Sequence, residues 1–153
     1  MNTEFEADKK KGNQGEIIFI EKIIGDNLYT HSTSENKEDY DIESNGVTYE
    51  IKSNYKDNGY LCVEEWYSRE SKQKGWISTS KCDYICFISL KSRQILIYDF
   101  ARFKEWYIAN YTMISGKYRL TVNERTVGKY GDIWASEYRR IPLHDIPIRA
   151  MIL

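Results

Sequence analysis

The stretch YDIESNGVTYEIKSN, residues 40–54, sets carboxylates on both arms of a tight turn. Asn45-Gly46 is a strong hairpin signal, because a type I′ turn needs positive φ at both central residues. With those two as the loop, Ser44 faces Val47, Glu43 faces Thr48, Ile42 faces Tyr49 and Asp41 faces Glu50. One step further out, Asp39 faces Lys52. Strand alternation then places Asp39, Asp41, Glu43, Thr48, Glu50 and Lys52 on one face, and Tyr40, Ile42, Val47, Tyr49 and Ile51 on the other. The second face reads as core. On the first, Asp41 and Glu50 approach to roughly 5 Å at Cβ, where like charges destabilise a strand pair unless something sits between them.

The elements around this hairpin follow from periodicity. Residues from about Thr3 to Ile24 read as a helix with Ile17, Ile20 and Ile24 on one stripe and Gly25 as its stop, its charged start (Glu4, Glu6, Asp8, Lys9-Lys10-Lys11) expected to fray. Leu28 to His31 predicts a short strand, and the hairpin arms occupy about 39–43 and 47–53. Gly59 to Trp66 is a third strand, Arg69 to Lys74 a loop, and Asp83 to Leu90 the most continuous apolar run and so the central strand. Gln94 to Tyr98 pairs with it, and Asp99 caps a helix over about 100–110. The tail alternates strand pieces, Arg119 to Val122 and Ile133 to Tyr138, with turns at Gly128 and Gly131, and Pro142 and Pro147 break it. The sum is a mixed α/β domain with a central mixed sheet flanked by helices and a β-rich C-terminal tail.

Composition narrows the function. The 153 residues suit one domain, 1–153, with its own core. With no run of 18 apolar residues and no apolar N-terminal signal, a cytoplasmic protein without a membrane partner is expected. Cys62, Cys82 and Cys86 form no C-x-x-C pair and read as reduced, buried thiols; His31 and His144 form no metal motif. Net charge is −1, so any nucleic-acid footprint is a local patch. Thirteen tyrosines and four tryptophans are rich enough for base stacking as well as core.

The spacing Asp41, eight residues, Glu50, one residue, Lys52 resembles the signature of the PD-(D/E)XK nuclease superfamily, with Tyr40-Asp41 where the family often has Pro-Asp. The resemblance covers about residues 12–98, includes the GEIIFIEKI helix with Glu16, and in KGWISTSKCDYICFI looks like small phage- and resolvase-type members. It implies a restriction-endonuclease-like core of a helix, three strands, a helix and a strand. It also implies a metal-dependent deoxyribonuclease, an endonuclease rather than an exonuclease, in recombination, repair or phage DNA processing. Asp41 and Glu50, with the Ile51 carbonyl, would hold Mg²⁺ or Mn²⁺, a hard cation suited to oxygen ligands. Lys52 would orient or deprotonate the attacking water and balance charge, and Glu16 would assist. The partner would be DNA, and members that cut both strands work as dimers, so a homodimer is implied.

Alternatives remain for several residues. Asn13-x-x-Glu16 also reads as a helix-start capping box. Asp39 pairs by register with Lys52, and Glu43 reads as a solvated charge at the hairpin tip. Glu64 and Glu65 lie on the third strand, where they read better as solvated charges than as site acids. Arg69, Lys72 and Lys74 with Trp76 form the expected phosphate-and-stacking patch, or a solvated loop, ahead of Arg139, Arg140 and Arg149. Two other functions fit the chain: a DNA-binding module on the same fold that does not cut, and a phage factor that inhibits a host enzyme through a tyrosine-rich interface.

Overall fold

The computed structural model describes residues 3–126 and 133–153. The chain opens with α1 (Thr3–Phe19), which runs into a π-helical turn over Ile20–Ile24 and stops at Gly25, whose φ of 58° needs no Cβ and whose N–H bonds the Ile20 carbonyl. The charged start is helical rather than frayed. Glu6 lies near the start of the helix, where an acid complements the helix dipole, and the lysines follow later.

Strand β1 (Thr30–His31) pairs with β2 (Ile42–Ser44), and β2 pairs with β3 (Val47–Lys52) through the Asn45-Gly46 turn, both turn residues at positive φ (53° and 77°). Ile42 faces Tyr49, Glu43 faces Thr48 and Ser44 faces Val47, the register that the turn predicts. Next come β4 (Tyr60–Ser68), β5 (Gln73–Lys74), the short α2 (Trp76–Thr79), β6 (Tyr84–Ile88), β7 (Ile95–Asp99), α3 (Phe100–Ala109) and α4 (Tyr111–Lys117). The chain ends with β8 (Leu120–Thr126), β9 (Ile133–Pro142), a 3₁₀ turn at Leu143–Asp145 and β10 (Met151–Ile152). Asp99 caps α3 by accepting the Arg102 N–H at 3.0 Å. The turns expected at Gly128 and Gly131 lie outside the described residues.

Two sheets result, a mixed one in the order β1-β2-β3-β6-β7-β10 and an antiparallel one in the order β5-β4-β9-β8. Strand β6 runs parallel to β3 and antiparallel to β7, and Ile85 to Ile88 are all buried, as a strand covered on both faces requires. The expected third strand, β4, leaves this sheet for the second one. There it pairs with β9 and has one core face: Leu61 and Val63 are buried while Tyr60, Cys62 and Glu64 are not. Part of the expected Arg69–Lys74 loop is the edge strand β5, and α4 has no apolar stripe that announces it, with Ile114 its one buried side chain.

One core cluster lies between the sheets, built from Leu61, Val63, Trp76, Ile85, Phe87, Phe103 and Ile141. The other lies under α1, where Ile18, Phe19 and Ile24 meet Ile42, Ile51, Cys86 and Ile88. The three cysteines are free thiols, Cys82 and Cys86 buried. No helix among the described residues is long and apolar enough to cross a membrane.

Candidate active site

Along β3 the side chains alternate, so Ile51 enters the cluster under α1 while Glu50 and Lys52, beside Ile85 and Phe87 of β6, point to the opposite face. Glu50 is 6% exposed. Burial pushes its carboxyl up to about 7 against the pull of the Lys52 ammonium, with Asp41 and Glu64 adding to the rise. Lys52 donates to Glu50 Oε1, and its ammonium lies 6.0 Å from the centre of the Trp76 ring. Burial disfavours the Lys52 charge, yet Glu50 and Asp41 outweigh it and hold the ammonium above its ordinary pKa. Glu50 Oε2 is buried with no hydrogen-bond partner among the described residues, an acceptor that a folded protein rarely leaves empty.

Asp41 does not stand opposite Glu50 on a continuing ladder. The paired strand ends at Ile42; the Asp41 N–H bonds the Tyr49 carbonyl, and the Asp41 carboxylate folds across to accept the Ile51 N–H at 2.7 Å. The side chain supplies the acceptor that the strand no longer provides, and it still lies close enough to raise the Glu50 pKa. Burial in turn raises the pKa of Asp41, opposed by Lys52 and by the Ile51 N–H. Because the ladder stops, Asp39 does not meet Lys52. It pairs with Lys81 at 3.6 Å, and its carbonyl takes the Lys81 N–H.

Glu16 reaches the same place from α1. It sits well inside the helix, which begins at Thr3, so the capping-box reading of Asn13 and Glu16 does not hold. Its carboxylate lies 3.6 Å from His31 Nδ1, and burial and then Asp41 raise its pKa. The approach depends on Gly15: a Cβ there would fall 1.8 Å from Ser53 Oγ and 2.8 Å from Ser53 Cβ, so the helix rests directly on the residue after Lys52. Nothing in the sequence flags the Gly15–Ser53 pair, which meets only in the folded chain.

The two acids of β4 part company. Glu64 is half-buried and near enough to raise the pKa of both Glu50 and Lys52. Glu65, expected in solvent, is 8% exposed and takes hydrogen bonds from Arg139 Nε at 2.6 Å and from the Tyr107 and Tyr111 hydroxyls. Arg139 also donates to the Tyr118 carbonyl, so it is a buried structural cation rather than a DNA contact. At the hairpin tip Glu43 accepts from the Tyr40 hydroxyl at 3.4 Å.

The expected substrate patch changes its aromatic member. Trp76 is 4% exposed and packed against Phe87, Phe100 and Phe103, so its indole offers no face for stacking; the Gly75-Trp76 pair starts α2 and drives the ring into the core. The aromatic ring beside the basic residues is instead that of Trp66, with Lys74 3.6 Å and Arg69 4.7 Å from its centre. Arg69 also bonds Glu137 at 2.6 Å, and Lys72 is exposed at a positive φ of 58°. Arg140 lies over Tyr60 at 4.9 Å, and Arg149 borders an open groove beside Leu96, Tyr98 and Leu143.

Asp41, Glu50, Lys52 and Glu16 are therefore brought together, with Glu64 and His31 at the margin. Among the described residues no three His, Cys, Asp or Glu side chains form a compact metal-binding group. The two-carboxylate arrangement suits an ion that keeps most of its waters. Comparisons with known protein families, with characterised proteins and with solved structures return no match.

Proposed function

We propose that this chain is a metal-dependent deoxyribonuclease that hydrolyses DNA phosphodiester bonds, acting as an endonuclease in recombination, repair or phage DNA processing. The observation that carries the reading is the approach of Asp41, held by the Ile51 N–H, to a buried Glu50 whose Oε2 has no partner among the described residues, alongside Lys52. A buried carboxylate with an empty acceptor fits a hard divalent cation, and Mg²⁺ commonly takes only one or two protein carboxylates. The first sheet's share of the chain, α1, β1 to β3 and then β6 parallel to β3, supports the helix, three strands, helix and strand that the sequence resemblance implies, with β4 and β5 of the second sheet inserted before the short α2.

Asp41 and Glu50 would hold the ion, and the Asp41 bond to the Ile51 N–H keeps the peptide next to the Ile51 carbonyl in place beside them. When bound, Mg²⁺ or Mn²⁺ supplies Lewis-acid polarisation of the phosphodiester and a more acidic water. Lys52 orients that water and offsets the charge that builds on phosphate oxygens, with Trp76 screening one side of its ammonium from solvent. Glu16, half-buried and held near Asp41, is placed to accept a proton. Arg69, Lys72 and Lys74 supply phosphate contacts, with Arg69 and Lys74 steadied on Trp66.

Incubating supercoiled, linear and four-way-junction DNA with the protein in Mg²⁺, Mn²⁺ or EDTA tests the reading. Cleavage is expected in either metal, none in EDTA, and none from Lys52→Ala, which keeps its fold. Cleavage by Lys52→Ala at the wild-type rate removes the lysine's assignment. No cleavage of any DNA form, with no effect of metal on thermal stability, overturns the nuclease reading.

A further inference from the structure

From Glu6 onward the first half of α1 is open to solvent. Residues 6–11, 13 and 14 are exposed, and a Cβ at Gly12 would meet nothing within 4 Å. This half carries no apolar stripe, so it is not built to lie in a groove of a partner protein. It does carry Lys9-Lys10-Lys11, the only run of three consecutive basic residues in the chain. Its rotation about its own axis is set by the close seat of Gly15 on Ser53, the same seat that presents Glu16 to Asp41.

Helical geometry then decides which lysine overlooks the site. Lys9 precedes Glu16 by two turns, so the two lie within about 20° on one face and about 10 Å apart along the axis. Lys10 and Lys11 turn away by more than about 100° to either side, and Glu6 and Asp8 by about 80°. Between Lys9 and Glu16 that face holds only Gly12, which has no side chain, and Asn13, which is uncharged. An axial rise of about 10 Å equals about three nucleotide steps of one duplex strand.

We propose that the face of α1 bearing Lys9, Gly12 and Glu16 is a track for the substrate's phosphate backbone, with Lys9 contacting a phosphate about three nucleotides from the bond that is cut. The proposal rests on the nuclease reading and names where its DNA runs. Gly12 leaves the track free of charge and of bulk, and the open space around it would also take a methyl group.

Binding of a fluorescent duplex to the Lys52→Ala protein, which does not cut, is measured against salt. Lys9→Gln should lower the slope of log affinity on log salt by about 0.9, with smaller effects from Lys10→Gln and Lys11→Gln. Gly12→Ala should stabilise the protein and leave binding intact. Gly12→Glu should also stabilise it yet weaken binding several-fold, an outcome that a purely structural role for α1 does not produce. If the parent binds DNA and Lys9→Gln matches it in slope and affinity, or Gly12→Glu binds as Gly12→Ala does, the track is wrong while the nuclease reading stands. If wild type cuts no DNA and the parent shows no salt-dependent binding, the nuclease reading fails and takes the track with it.

Discussion

Glu50 folds into a place that favours its neutral form, and this has a consequence for stability. Its folded pKa of about 7 lies above the ordinary 4.5, so between those values the unfolded chain has released a proton that the folded chain still holds. Stability then falls as pH rises through that window, since it falls wherever the native state binds more protons. Asp41, also raised, acts in the same direction. Urea midpoints measured in EDTA from pH 5 to 8 should decline for wild type and decline less for Glu50→Gln; parallel curves would contradict the burial argument. Divalent metal should stabilise wild type by RT ln(1 + [M]/Kd), about 2.7 kcal/mol at a hundred times Kd. Asp41→Asn keeps an oxygen for the Ile51 N–H but removes a charge. It should match or exceed wild type in EDTA, gain little from Mn²⁺ and cut nothing. Melting both proteins with and without metal decides this.

At the scale of elements, the contact of α1 with β3 sets the distance between Glu16 and Asp41. Gly15→Ala gains helix propensity of about 1 kcal/mol but drives a methyl into Ser53, and overpacking costs about 1–3 kcal/mol. A net loss of stability is expected, together with lower cleavage as Glu16 is lifted away. Adding Ser53→Gly clears the space, so the double variant should recover both, and a double-mutant cycle with no coupling would remove the seat from the account. The hairpin is different in kind. Its register follows from a turn two residues long, while α1 covers its apolar face through Ile18 and Phe19.

The second sheet is joined to the helices by the apolar core they share and by a buried ion pair. Glu65 on β4 and Arg139 on β9 meet Tyr107 of α3 and Tyr111 of α4. Removing one partner strands a charge in the interior, so Glu65→Ala or Arg139→Ala should each cost about 3–5 kcal/mol. Replacing both at once, as Glu65→Leu with Arg139→Met, should cost much less, because no charge is left uncompensated. Equilibrium denaturation of the four proteins checks this, and a double variant as unstable as the singles would show that the joint needs its polar bonds.

What local chemistry dictates was legible in the chain. The Asn45-Gly46 turn sets the register, and period-two alternation puts Glu50 and Lys52 together on one face of β3. The apolar run of β6, the cap at Asp99 and the long first helix follow from equally local patterns. Other features depend on which distant segments share a core. Strand β4 could not be assigned to a sheet, because its one-sided alternation fits either sheet's edge and only β9, about 80 residues later, decides. Trp76 reads the same whether it lies beside a basic loop or in the core, and burial among Phe87, Phe100 and Phe103 settles it. Glu65 reads as solvated until Arg139 arrives from the far end of the chain. Asp41 is held near Glu50 by the bond that its side chain accepts from the Ile51 N–H beyond the end of the ladder, and Glu16 joins them through a glycine seat. Period and turn chemistry act over a few residues and are written in order; packing selects among contacts far apart in the chain, and only the folded structure shows which were chosen.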